Sequence, residues 1–169
     1  MIGLSWVKSR LLRRARRSYN SKRYRKSLRH SRLNHFLFRD LESLDICSRS
    51  RLRLGHYLDA ANSYRRADKL GFRLLDHDEN HYKAELRSGN LIEASKIIHK
   101  FKSKADRRKR IKELIIKLKR ISVAQRVEII EEMNSVSSIP LEIAELLPWA
   151  PRKLDFKSEK DDSYTLLTE

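Results

Sequence analysis

The stretch "LRLGHYLDAANSYRRADKLGF", Leu52–Phe72, decides how the chain is read. Gly55 stands two residues before Tyr57, and Ala60, Tyr64 and Ala67 follow at steps of three, four and three. On an α-helix, residues at this spacing share one face. The two alanines let a neighbouring helix approach closely, and the tyrosines fill the spaces between turns. Gly55 suits a tight turn just ahead of the helix.

The pattern recurs on both sides. "RSGNLIEASKIIHKF" places Gly89, Leu91, Ala94, Ile98 and Phe101 in the same order, with Leu91 34 residues after Tyr57. Upstream, "KRYRKSLRHSRLN" places Tyr24, Ser27, Ser31 and Asn34, with Tyr24 33 residues before Tyr57. Lys22 holds the glycine place of this earlier unit, and its later places are polar. Glycine, aromatic, alanine, aromatic, alanine at this period resembles the second helix of a tetratricopeptide repeat. The resemblance spans roughly Leu11 to Phe101 and implies antiparallel helical hairpins stacked in a right-handed array. It makes Tyr24, Gly55, Tyr57, Ala60, Tyr64, Ala67, Gly89, Leu91, Ala94 and Ile98 packing residues. The first helix of each pair is less faithful to the family: Leu44, Cys47, Ser48 and Leu52 share a face, but Tyr82 stands at a place for a small residue and His81 where leucine is usual.

Beyond Phe101, Ile111, Leu114, Ile115 and Leu118 follow amphipathic spacing. Ser122 suits the N-cap of a helix that turns Val127, Ile130 and Met133 inward, and Pro140 suits the first turn of a short "PLEIAELL" helix. The organisation expected is a basic N-terminal hairpin over 1–36, two repeats over 37–102, capping helices over 103–150 and an acidic tail over 151–169. Asp155, Glu159, Asp161, Asp162 and Glu169 give that tail its charge, and composition favours a solvated, disordered end.

Composition agrees with an all-α fold. Only 4 Gly and 3 Pro among 169 residues leave few tight turns for a sheet-rich fold. The single Cys47 precludes an internal disulfide and sits among Leu44, Ile46 and Leu52, as a packing thiol would. No apolar run reaches the roughly 20 residues of a membrane span, and the first residues place apolar before basic, the reverse of a secretory signal. A cytoplasmic protein is expected, with attachment to the inner face of a membrane as a further reading.

The net charge of +17 predicts attraction to polyanions. From Ser9 to Leu33 there is no acidic residue, and Arg10, Arg13, Arg14, Arg16, Arg17, Lys22, Arg23, Arg25 and Lys26 are the candidate polyanion contacts. Leu4, Val7, Leu11, Ala15 and Tyr19, widened by Trp6 and Leu12, form one stripe on the first helix. That stripe can pack in the array or lie in a headgroup layer, and can be buried only once. Tyr19 and Tyr24 among basic residues also suit nucleic acid, although no recognition helix, zinc finger or single-strand signature is present.

Catalysis finds little support. There is no glycine-rich phosphate loop and no nucleophile elbow, and Glu131 and Glu132 point in different helix directions. "DHDENHY" puts His77 and His81 four apart, as in zinc-protease helices, with Asp78 where that pattern has glutamate and Glu85 one turn on. It specifies no obvious third ligand. The simpler reading has Asp76 or Asp78 capping the helix and the histidines on its flank, so neither metal nor cofactor is expected. The functional expectation is a non-catalytic adaptor that grips an acidic peptide or domain. If the resemblance holds, its concave face draws on Arg49, Arg51, His81 and Glu85. RNA binding and attachment to anionic membrane through the basic segment are the competing expectations.

Overall fold

The computed structural model describes residues 2–136, 139–148, 157–158 and 164–165. The fold is all-α, built of helices packed in adjacent pairs. Its helices are α1 (Ile2–Asn20), α2 (Tyr24–Phe38), α3 (Leu41–Arg53), α4 (Tyr57–Lys69), α5 (His77–Ser88), α6 (Leu91–Ile98), α7 (Lys104–Leu118), α8 (Val123–Val136) and α9 (Leu141–Ala144). Lys157–Ser158 and Tyr164–Thr165 form an antiparallel pair of two-residue strands, β1 and β2. The rest of the acidic segment expected over 151–169 lies outside the described residues. No described helix is long and apolar enough to cross a membrane.

The chain divides into two compact units, Met1–Ser88 and Gly89–Glu169. The division falls between α5 and α6, inside the stretch read from sequence as one pair of repeats over 37–102. In the second unit α6 packs on α7 and α8, so its apolar residues, Leu91, Ala94, Ile97 and Ile98, are covered by the helices that follow it. Leu114 and Leu118 of α7, Ile130 and Met133 of α8 and Ile143 of α9 are fully buried there. Ser122 Oγ accepts the Gln125 N–H at 3.3 Å, capping α8 as its position predicts, and Pro140 directly precedes α9.

In the first unit each helix packs on the next, and α1 and α5 each also touch α3. Three turns of the chain, two in this unit and one at the start of the second, share one geometry. Lys22, Gly55 and Gly89 all adopt left-handed backbone, with φ of 57°, 82° and 89°. The next residues, Arg23, His56 and Asn90, follow with nearly one conformation: φ, ψ of −86°, 63°, then −80°, 65°, then −80°, 71°. Their carbonyls then accept the first helical bonds from Ser27, Ala60 and Ala94, each at 3.0 Å. A left-handed residue favours glycine, and Lys22 takes the same conformation without it.

The core of this unit is the stripe read from Leu52–Phe72. Ala60, Tyr64 and Ala67 are fully buried with Leu44, Ala61, Leu74 and Ala84, while Tyr57 and Tyr24 are half-buried. The equivalent stripe of α2 is buried too, but it is polar: Ser27, Ser31 and Asn34 are all 0% exposed. Hydrogen bonds replace apolar contacts there. Ser27 Oγ donates to the Ala15 carbonyl at 3.0 Å, Ser50 Oγ donates to Ser27 Oγ at 3.1 Å, and Asn34 Nδ2 donates to Ser43 Oγ at 2.6 Å. Such partners offset most of the cost of burying hydroxyls and amides, although Asn34 Oδ1 has none.

Candidate functional site

Because α2 buries its polar stripe, three of its apolar residues are left to the outside. Phe36 is 70% exposed, Leu37 51% and Leu33 46%. They sit among arginines. One depression is lined by Arg25, Leu28, Arg29, Arg32, Leu33 and Phe36 of α2. A second runs from Arg32 and Phe36 across Cys47 and Arg51 of α3 to Asn62 and Arg66 of α4. Arg32 and Phe36 border both, so the two form a continuous, mainly basic and apolar face, with Asp59 an acidic residue lining the second.

The expected polyanion contacts of α1 and α2, from Arg10 to Lys26, are all exposed. Arg16 pairs with Glu42, and Arg10 stacks over Trp6 with 4.8 Å to the ring centroid. The stripe of α1 is divided. Ala15 is buried and Leu11, Leu12 and Tyr19 are half-buried, as packing on α2 and α3 requires, whereas Leu4 and Trp6 are exposed. Insertion of the whole stripe in lipid is incompatible with that packing.

Of the four residues expected to grip a partner, Arg51 reaches the open groove, where it donates to Ser63 Oγ at 2.6 Å. Arg49 pairs with Asp45 and lies over Tyr19. His81 and Glu85 are a correction to the expectation: they are 3% and 0% exposed and cannot line a partner surface. Glu85 accepts two hydrogen bonds from Arg65, Nε to Oε1 at 2.7 Å and Nη2 to Oε2 at 3.0 Å, and its Oε1 lies 3.0 Å from His81 Nε2. Charged side chains read as a surface are here consumed by one another between α4 and α5.

The histidines also do not lie on the flank of α5. His77 is 4% exposed, and both rings pack on Tyr64, His81 stacked at 5.7 Å and His77 edge-on at 5.3 Å. Asp78 pairs with Arg73, and Asp76 takes φ of 48° just before α5. Sequence reasoning missed Asp68, from the last turn of α4. Its Oδ1 lies 2.9 Å from His77 Nε2 and its Oδ2 3.4 Å from His81 Nδ1, in both cases without hydrogen-bond alignment. Only the fold brings α4 and α5 together, so no local spacing signals the third group.

His77 Nδ1 accepts the Leu74 N–H at 3.2 Å, which makes the ring neutral with its proton on Nε2. Burial pushes its pKa below the ordinary 6.5, against the opposing pull of Asp68. The unfolded chain therefore takes up this proton more readily than the folded one. Stability from this group is complete above pH 6.5 and is lost as pH falls through the lower folded value. Thermal melts should show Tm falling with acidification from that point, with a shallower fall in His77→Asn, whose Oδ1 can still accept the Leu74 amide.

No protein-family model, curated protein or solved structure matches the chain.

Proposed function

We propose that the chain is a non-catalytic adaptor of the helical-repeat kind, resembling tetratricopeptide repeats. It receives an acidic, amphipathic protein segment on the outer face of α2. The observation that carries this reading is the inversion of α2. Evolution of a helix that merely packs would place Leu33, Phe36 and Leu37 inward. Here three polar residues hold the interior position, and the apolar ones face solvent between Arg25, Arg29, Arg32 and Arg39. A partner helix with apolar anchors flanked by Asp and Glu complements such a face in both shape and sign. The recurring turns at Lys22, Gly55 and Gly89 support the repeat assignment.

RNA is the second reading, supported by the exposed basic run from Arg10 to Lys26. Fluorescence titration with an acidic amphipathic peptide, a single-stranded RNA and anionic vesicles separates these classes. The peptide should bind, and Phe36→Asp should weaken it by about 2 kcal/mol, as loss of a central aromatic anchor does. Phe36 is exposed, so that variant keeps the fold. Tight RNA binding that falls steeply with salt and ignores Phe36→Asp would favour the phosphate-reading alternative. Vesicle binding that ignores the same change would favour the membrane.

A further inference from the structure

We propose that Asp68, His77 and His81 form a site for one divalent transition-metal ion, with Zn2+ the best match, joining the end of α4 to α5. One ring nitrogen of each histidine and an Asp68 carboxylate oxygen all lie within 4.8 Å of one another. Tetrahedral zinc, with bonds of about 2.0–2.1 Å, separates its ligand atoms by roughly 3.3 Å. Asp68 approaches the two rings to within about that separation, Oδ1 at 2.9 Å from His77 Nε2 and Oδ2 at 3.4 Å from His81 Nδ1. Two imidazoles and a carboxylate form a borderline donor set that suits zinc over magnesium or calcium.

A second observation points the same way. Both rings are almost wholly buried, and the nitrogens they turn toward Asp68 have no hydrogen-bond partner. An imidazole nitrogen buried without one is costly, and a cation between the two rings and the carboxylate would satisfy both nitrogens at once. His81 is already set up as a ligand. Its Nε2 faces Glu85, a carboxylate that can only accept, so the ring proton sits on Nε2 and Nδ1, 3.4 Å from Asp68 Oδ2, keeps its lone pair. Glu85 is in turn fixed by Arg65. Metal-binding histidines are oriented by such outer carboxylates. The Asp68 side chain is 30% exposed, which gives an ion a way in and a water the fourth position.

His77 makes the proposal sharp. To bind through Nε2 its ring proton must move to Nδ1, the atom that now accepts the Leu74 N–H. Metal loading therefore releases the Leu74 amide.

The experiment titrates Zn2+ into the full chain after chelator treatment, by calorimetry and by NMR of 15N-labelled protein. One equivalent should bind. The His77 and His81 ring nitrogens and the Leu74 amide should shift, while His30, His35, His56 and His99 stay in place. Asp68→Asn and His77→Asn should each weaken zinc by at least about tenfold, no less than loss of an outer-shell partner does. Zinc should raise the Tm of the unaltered chain and not of either variant. Failure to bind zinc would overturn the proposal, as would undiminished binding in both folded variants. The NMR arm needs no variant: zinc that shifts other histidines, or leaves Leu74 unmoved, places the ion elsewhere and also overturns it.

Discussion

Truncating Tyr64 to alanine should destabilise the first unit by about 3–5 kcal/mol, the range for removing a buried aromatic ring. The side chain is 0% exposed, lies between Ala60 and Ala67 on the stripe, and meets the rings of His77 and His81. Its loss opens a cavity at the centre of the α3–α4–α5 contacts. Two companion changes test the cause. Tyr64→Phe should cost little or even stabilise, because the buried hydroxyl has no hydrogen-bond partner. Ala60→Leu should cost about 1–3 kcal/mol by overpacking, since nothing at this fully buried position can move aside cheaply. Urea unfolding followed by circular dichroism reads all three. A Tyr64→Ala change below about 1 kcal/mol would mean that the stripe is not the core.

Replacing Arg65 with methionine is the second large effect. The Glu85 carboxylate is fully buried and held by two guanidinium hydrogen bonds. Breaking a buried ion pair from one side costs about 3–5 kcal/mol. The lower end applies, because the Arg65 side chain is 37% exposed and water already reaches part of it. The double variant Arg65→Met/Glu85→Met should recover most of the loss, since the cost lies in the abandoned charge and not in the missing bond. Equal destabilisation by the single and double variants would show that packing, not charge, is at stake.

Both effects depend on features with different visibility in the sequence. Ala60, Tyr64 and Ala67 were legible because helical spacing alone puts them on one face, and Gly55 because left-handed backbone favours glycine. Lys22 was legible only through the 33-residue register, since nothing in lysine signals that conformation. The same register aligns Ser27, Ser31 and Asn34 with Ala60, Tyr64 and Ala67, but their polarity gave no sign that they would be buried. That conflict is what supports the proposed docking face, and it becomes readable only once Phe36 and Leu33 are seen in solvent.

The fate of His81 and Glu85 was not legible. Charge in a polar segment reads as surface, and only the approach of Arg65 from α4 turns Glu85 into an interior group. Asp68 was hidden for the same reason: it belongs to a different helix from the two histidines. Pattern within a helix carries periodicity, whereas pairing between helices depends on how they cross. The division between α5 and α6 was likewise invisible, because Gly89 and Leu91 repeat the local motif whichever neighbours cover them.

The most direct test is photo-crosslinking in native cells, with a benzophenone amino acid at the position of Phe36 and, as control, at that of Leu58. Both side chains are well exposed, at 70% and 57%, but only Phe36 borders the basic depressions. The expected result is a nuclease-resistant crosslink from position 36 to an acidic, amphipathic protein segment, abolished by Arg32→Glu and absent from position 58. Crosslinks to nucleic acid at position 36, or the same partners from both positions, would contradict the assignment of α2 as the docking face.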